Sequence, residues 1–251
     1  MSNDRCVNVL SHRESGSSSS DGSKRVLIAC CMVEDEVQMA FQHTGVCLET
    51  IWVERGYHEK PDVLRAELQR RIDEAEANGA SQILLAYGLC GGGIAGLRTR
   101  VAKLAVPRFD DCVNFMLETG CRTCRGKAKA GVYYLTHGWV HDTSASPSKM
   151  RERYIECYGE RKAKRLMHAM FKAYKSVTLI DNGCYDLESV QPVARKFAHA
   201  IEVDVVDSVP GSNVILEKLL CGPWDDDILV VDPGVAVEQD DFAYPPEPRC
   251  E

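Results

Sequence analysis

Residues 81–93 read Ser-Gln-Ile-Leu-Leu-Ala-Tyr-Gly-Leu-Cys-Gly-Gly-Gly. The apolar run that begins at Ile83 ends at Tyr87 and passes straight into a turn built of glycine, with Cys90 at its mouth. A short, continuous apolar run closed by glycine is the pattern of a strand buried on both faces. Open α/β sheets place their ligands at the carboxyl ends of such strands. Glycine there lets the backbone turn tightly and approach a bound group.

Similar segments recur on both sides of this stretch. Lys24 to Cys30 reads as a first strand, Glu34 to His43 as a helix and Cys47 to Val53 as a second strand. Pro61 opens a helix with Val63, Leu64, Leu68, Ile72 and Ala75 along one face, and Gly79 ends it. Leu104 to Pro107 is a short strand, followed by a helix from Cys112 to Glu118 that Asp110 or Asp111 can cap. Beyond it, Val132 to Leu135 reads as a strand and residues 151–175 as one long, basic, amphipathic helix. Val177 to Ile180, Glu202 to Val206 and Ile228 to Val231 are predicted strands, with helices at 186–201 and about 212–220 between them. The alternation predicts an α/β fold of mainly parallel sheets with helices on both faces. Two similar Rossmann-like lobes, 24–130 and 131–237, are expected to face a cleft; one doubly wound sheet is the alternative. Residues 1–23, rich in serine and glycine, read as a disordered tail, and 238–251 as an acidic, proline-rich one.

Of the 251 residues, 45% are hydrophobic and 27% charged, with a net charge of −7. That balance argues against nucleic-acid binding, which favours a basic face. No apolar stretch approaches the ~18–20 residues that span a bilayer, and no secretory leader is read, so a cytoplasmic protein without a membrane role is expected. Its twelve cysteines are then expected as thiols. Cys31, Cys47 and Cys157 are expected as small buried hydrophobes.

Soft ligands and polar groups stand after most of the predicted strands: Cys30, His58, Cys90, Asp110-Asp111-Cys112, Thr136-His137, Asp181-Asn182-Gly183-Cys184 and Asp232. Cysteine thiolate and imidazole are preferred zinc ligands, so His58, Cys90 and Cys112, with Cys30 as a fourth, form a candidate metal set. The ligands are scattered along the chain, and buried packing is the competing role for each cysteine. Asp111 and His137 are candidate acid–base groups, and Cys184 a candidate catalytic thiol. The Gly91, Gly92 and Gly93 amides and Arg108 are candidates to hold an anionic substrate group, although no lysine completes a P-loop. Arg98 and Arg100 are further anion candidates. Cys121-Arg122-Thr123-Cys124 is a local C-x-x-C without a second pair to complete a zinc ribbon. The run Arg161-Lys162-Ala163-Lys164-Arg165 reads as a solvated helix face.

Several separated motifs occur in one order: Tyr87-Gly88-Leu89-Cys90-Gly91, Pro107-Arg108-Phe109-Asp110-Asp111-Cys112 and Tyr133-Tyr134-Leu135-Thr136-His137-Gly138-Trp139. Asp181-Asn182, Leu220-Cys221-Gly222-Pro223-Trp224-Asp225 and Val231-Asp232-Pro233-Gly234 follow. From about residue 25 to 235 the chain resembles the prokaryotic domain-of-unknown-function family 1638. It departs from that pattern at Asp110, where the family usually has His, at His137, where it usually has Pro, and across Cys121–Lys129. Genes of the family often lie beside those of corrinoid-dependent methyltransferases, so the resemblance implies methyl or one-carbon metabolism and a corrinoid protein as partner.

The leading expectation is a zinc-dependent enzyme, iron being the other metal considered, acting on a small molecule in methyl or thiol chemistry. A non-catalytic metal-binding or corrinoid-partner protein is the second reading. A metal-free enzyme with Cys90 or Cys184 as nucleophile is the third.

Overall fold

The computed structural model of the chain describes residues 23–119, 127–141, 147–203 and 206–243. Strand β1 (Lys24–Cys30) leads through a 3-10 turn into α1 (Glu34–Thr44), then β2 (Glu49–Val53), α2 (Pro61–Ala77), β3 (Ala80–Ala86) and β4 (Lys103–Pro107). Short α3 (Cys112–Met116) precedes β5 (Val132–Leu135), α4 (His137–His141), α5 (Pro147–Tyr158), α6 (Glu160–Phe171) and β6 (Ser176–Asp181). The chain continues through α7 (Leu187–Ala200), β7 (Val206–Pro210), α8 (Val214–Cys221) and β8 (Ile228–Val231).

Two sheets form, one ordered β2-β1-β3-β4-β8 and the other β5-β6-β7. Pairing is parallel throughout except between β4 and β8. Strands β1 and β3 are central: Ile28 pairs with Leu85 and Ala29 with Ala86, and all four are buried. Helix α2 buries Leu64, Leu68, Ile72 and Ala75 against the larger sheet. Its Glu76 carboxylate accepts the amides of Arg100, Val101 and Ala102 at 2.8–2.9 Å, fastening the turn that leads into β4. No helix among the described residues is long and apolar enough to cross a membrane.

Three elements differ from the sequence reading. Ile228–Val231 belongs to the first sheet, antiparallel to β4, with Leu104 opposite Val231 and Pro107 opposite Ile228. Helix α8 goes with it, burying Ile215, Leu216, Leu219 and Leu220 in the core of the larger sheet. The physical reason lies in β4, whose four residues Leu104–Pro107 are buried and need an apolar neighbour that polar, largely exposed β7 cannot provide. Second, the long basic helix is two helices. Gly159 sits at φ 76, ψ 159, a conformation open to glycine. It closes α5 through its amide to Ile155 O and opens α6 by accepting from Ala163 N. Third, the strand expected at Glu202 begins at Val206, because Ile201 and Val203 fold back onto the last carbonyls of α7, with Glu202 at φ 61. The Cys121/Cys124 pair and both terminal tails expected from the sequence lie outside the described residues, apart from 23 and 238–243. Cys47 and Cys157 are exposed and Cys31 half-buried, so none of these three is a fully buried hydrophobe.

The two sheets touch at their strand ends. Gly138, at the start of α4, lies against the Met32 carbonyl so closely that a Cβ has no room, and Ser212 N, beyond β7, donates to Met116 O at 2.9 Å. Gly88 serves the same end within the first sheet: a Cβ there falls 2.6 Å from Asp111 Cα. Gly88→Ala is therefore expected to destabilise the protein by roughly 1–3 kcal/mol through overpacking, read as a lower urea midpoint. An unchanged midpoint would show that the β3 and β4 turns are not rigidly apposed.

Candidate functional site

Strands β1, β3 and β4 deliver three cysteines to one end of the larger sheet. Cys30 closes β1, Cys90 stands four residues beyond β3, and Cys112 opens α3 beyond β4. Backbone bonds hold the β3 and β4 turns together: Leu89 N donates to Phe109 O and Cys90 N to Asp110 O, both at 2.8 Å. Cys90 is bent to φ 48, a left-handed conformation that costs a non-glycine residue on the order of 1–3 kcal/mol.

All three thiols are held protonated. The hydrogen bond with Cys31, then burial, raises Cys30 well above the ordinary thiol range. Burial pushes Cys90 up to about 12, with the Asp111 charge adding to it, while the amides of Gly88 and Cys112 oppose the shift. Cys112 is raised by burial, then by Cys90 and Asp111. The effects of Cys112 on Cys30 and of Cys90 on Cys112 place the three in one electrostatic neighbourhood. Tyr87, 1% exposed, is raised by burial and then by Cys30, Cys90 and Cys31, so its ring lies among the same thiols.

A second group of polar side chains stands where the other strands end. Glu36, on the first turn of α1, is 0% exposed. Its Oε1 accepts from Asn182 Nδ2 at 2.8 Å, across from β6. Burial raises its carboxyl to about 7 against the opposing Asn182 bond. Asp35 Oδ2 lies 2.6 Å from His137 Nδ1, and the His137 ring stacks on Tyr185 with centroids 5.6 Å apart. Asn213 Nδ2 donates to Cys184 Sγ at 3.0 Å, and burial pushes Cys184 up to about 12. Glu36 acts electrostatically on both Cys112 and Cys184, which links the two groups.

Among the buried side-chain polar atoms that make no hydrogen bond among the described residues are Glu36 Oε2, His58 Nδ1, Tyr87 OH, Thr136 Oγ1 and Asn213 Oδ1. Their residues follow β1, β2, β3, β5 and β7 respectively. Leaving such an atom unsatisfied costs about 1–3 kcal/mol, so their concentration at strand ends marks a place built to receive polar groups.

Most residues singled out in the sequence gather at these strand ends, but their contacts differ in kind. Cys30, Cys90 and Cys112 share one neighbourhood, with Asp111 beside them; its Oδ1 caps α3 by accepting from Asn114 N at 2.8 Å, and burial raises its pKa. His58 stacks on Tyr87 at 5.5 Å, and burial lowers its pKa. Among the described residues no three His, Cys, Asp or Glu side chains stand ready to hold a metal ion. The amides of Gly92 and Gly93 donate within their own turn, to Leu89 O and Cys90 O. Arg108 reaches away to the Asp241 and Ala243 carbonyls. Arg98 and Arg100 lie at the turn before β4, where Gln69 and Glu76 bind their amides.

Sequence reasoning missed Asp35, Glu36, Tyr87 and Asn213. Glu36 carried a usable signal: it stands three residues after Val33 and four before Ala40, both buried, on the inward face of α1.

Fold and site together define a parallel α/β protein with thiol-bearing and carboxyl-bearing strand ends. The sequence profile of the family described as "Protein of unknown function (DUF1638)" matches residues 52–220. This is more than half of the chain, and the chain belongs to that family. The matched stretch contains His58, Cys90, Cys112, His137 and Cys184, while Cys30 and Glu36 precede it. No curated protein and no solved structure matches the chain.

Glu36 makes stability depend on pH. Its folded-state pKa of about 7 lies above the unfolded value of about 4.3. The contribution from its bound proton is complete below the unfolded value and is lost as pH rises through 7. Glu36→Gln keeps the bond from Asn182 without the charge. The variant is expected to exceed the parent by about 2–3 kcal/mol at pH 8 and to match it near pH 4, measured by urea unfolding at both pH values. Parallel profiles would mean that Glu36 has the same pKa in the folded and unfolded protein.

Proposed function

We propose that the protein is a metal-dependent enzyme, with zinc the metal its donors suit best, acting on a small polar substrate at the joined strand ends. The observation that carries this reading is that Cys30 closes β1 while Cys90 and Cys112 follow β3 and β4, all at the same end of three adjacent strands. Three thiolates with an open fourth position are a donor set for catalytic zinc, and softer iron sites draw on the same atoms. His58 stays with Tyr87 in this reading, held by the stacked ring. Zinc, when bound, would supply a Lewis acid that lowers the pKa of a coordinated thiol or water.

The chain's own groups then have separable tasks. Asp111, raised by burial, would exchange a proton beside Cys90. The Asp35–His137 pair orients an imidazole in the manner of an acid–base dyad. Tyr87 OH, Asn213 Oδ1 and Thr136 Oγ1 would meet polar groups of the substrate. The two sheets would act as Rossmann-like lobes around a cleft lined by these ends, in a cytoplasmic protein. Methyl or one-carbon chemistry with a corrinoid partner remains part of the proposal through the resemblance alone. The metal-free cysteine reading is less well supported, since burial holds Cys90 and Cys184 near 12, and the thiolate is the nucleophile.

Metal content of protein purified under reducing conditions tests the proposal. About one equivalent of zinc or iron per chain is expected, falling to below about a quarter in Cys90→Ala and in Cys112→Ala. Less than about half an equivalent, unchanged by Cys90→Ala, would defeat the metal reading. Iodoacetamide labelling mapped by peptide separates the nucleophile reading: slow alkylation of Cys90 and Cys184 in metal-free protein at pH 8, accelerating only above about pH 10, is expected from their raised pKa. One thiol reacting fast at pH 7, untouched by chelators, would favour a cysteine nucleophile instead.

A further inference from the structure

The α5–α6 hairpin has a charge opposite to that of the molecule. Residues 147–175 hold nine Lys and Arg against three Glu, in a chain of net charge −7. Arg161, Lys164, Arg165 and His168 recur at helical spacing and so share one face of α6. With Arg151 and Glu160 they line a groove of about 690 Å³. Arg151 pairs with Glu160 at 3.2 Å and His168 with Glu202 at 3.5 Å. Arg161, Lys164 and Arg165 make no ion pair among the described residues.

Helix stability does not explain this arrangement. Arg161 and Arg165 are like charges four residues apart, which repel. They also occupy the first two turns of α6, where the helix dipole disfavours cations and favours anions. Beside the groove lies a second cavity of about 190 Å³, sharing Arg151, Lys164 and His168 with it and lined further by Met167, Ala200, Ile201 and Glu202. Unpaired cations therefore adjoin a recess with walls that Met167, Ala200 and Ile201 make partly apolar, and the groove falls within the ~300–1,000 Å³ usual for small-molecule sites.

We propose that this groove binds a small phosphorylated ligand of nucleotide size, its phosphates held by Arg161, Lys164 and Arg165 and its body set against Met167, Ala200 and Ile201. Guanidinium groups suit phosphate because two parallel N–H bonds match two of its oxygens. The site lies on the hairpin between β5 and β6, and is independent of the thiol cluster and of any metal there.

Calorimetry with adenosine 5′-diphosphate as the probe tests it. Binding with a Kd at or below about 1 mM is expected, weakening with added salt. The Arg161→Ala/Lys164→Ala/Arg165→Ala variant should bind at least about tenfold more weakly, and inorganic pyrophosphate should bind the parent at least about tenfold more weakly than the nucleotide. Lys172→Ala, exposed and outside the groove, should bind as the parent does, and far-ultraviolet dichroism checks that the triple variant is folded. No binding up to about 5 mM, as expected if the hairpin instead docks an acidic protein, overturns the proposal. So does unchanged affinity in the folded triple variant. Pyrophosphate binding as tightly as the nucleotide overturns the two-part site.

Discussion

The hydrogen bond from Asn182 to the buried carboxyl of Glu36 joins the two sheets where both present their strand ends. A carboxyl with no exposed surface is tolerated only when it is hydrogen-bonded or neutral, and Glu36 is partly both. One oxygen is satisfied from β6, while burial pushes the group toward its protonated form. The neighbouring contacts follow from this apposition. Asp35 meets His137, Gly138 can have no side chain where it passes Met32, and Asn213 reaches Cys184 from beyond β7. Parallel strands deliver their carboxyl ends to one side, so joining two sheets there brings the polar turns of both into one place.

Burial also sets the resting chemistry of the thiols. Cys30, Cys90, Cys112 and Tyr87 all have raised proton affinities; Cys30, Cys112 and Tyr87 are each raised partly by another member of the set, and Cys90 by the Asp111 charge beside it. In such a cluster the first ionisation makes the next harder. The group therefore rests neutral, and a nearby positive charge is the natural means of converting several thiols to thiolates together. The left-handed bend at Cys90 fits this picture: the backbone gives up local stability to hold one sulfur at a fixed point between β3 and β4.

The central strands were legible because a strand buried on both faces needs only its own apolar run, as at Ile83–Leu85. Which sheet a run joins is not local information. Ile228–Val231 reads the same whether it extends the second sheet or covers β4, and the choice depends on how polar β7 is. Gly159 was hidden because the hydrophobic period continues through it, although its φ of 76 splits the helix. At the site, the cysteines were visible from their chemistry, and their meeting followed from parallel topology. Glu36 was hidden among Glu34, Asp35 and the dipole-complementing charges of a helix start, where acidic residues are ordinary. Asn213 was hidden for a similar reason, since asparagine after a strand usually caps or turns, whereas Asn182 was visible in the Asp181–Cys184 turn without its partner Glu36. His58 was visible as a ligand type, but its stacking on Tyr87 depends on where β2 lies relative to β3.

The proposed phosphate groove lies away from the glycine turn into which anion binding was first read. The Gly92 and Gly93 amides are spent closing their own turn, and Arg108 fastens the chain beyond β8. What remains at the end of the larger sheet is soft: thiols, a carboxyl of raised pKa and a phenol. Arg161, Lys164 and Arg165 instead stand on the hairpin between β5 and β6. A phosphate bound there would not stand among the thiols, whose ionisation a negative charge would oppose. In the proposed arrangement one sheet would carry proton and thiol chemistry and the other charge recognition, with the Glu36–Asn182 hydrogen bond as the link between them.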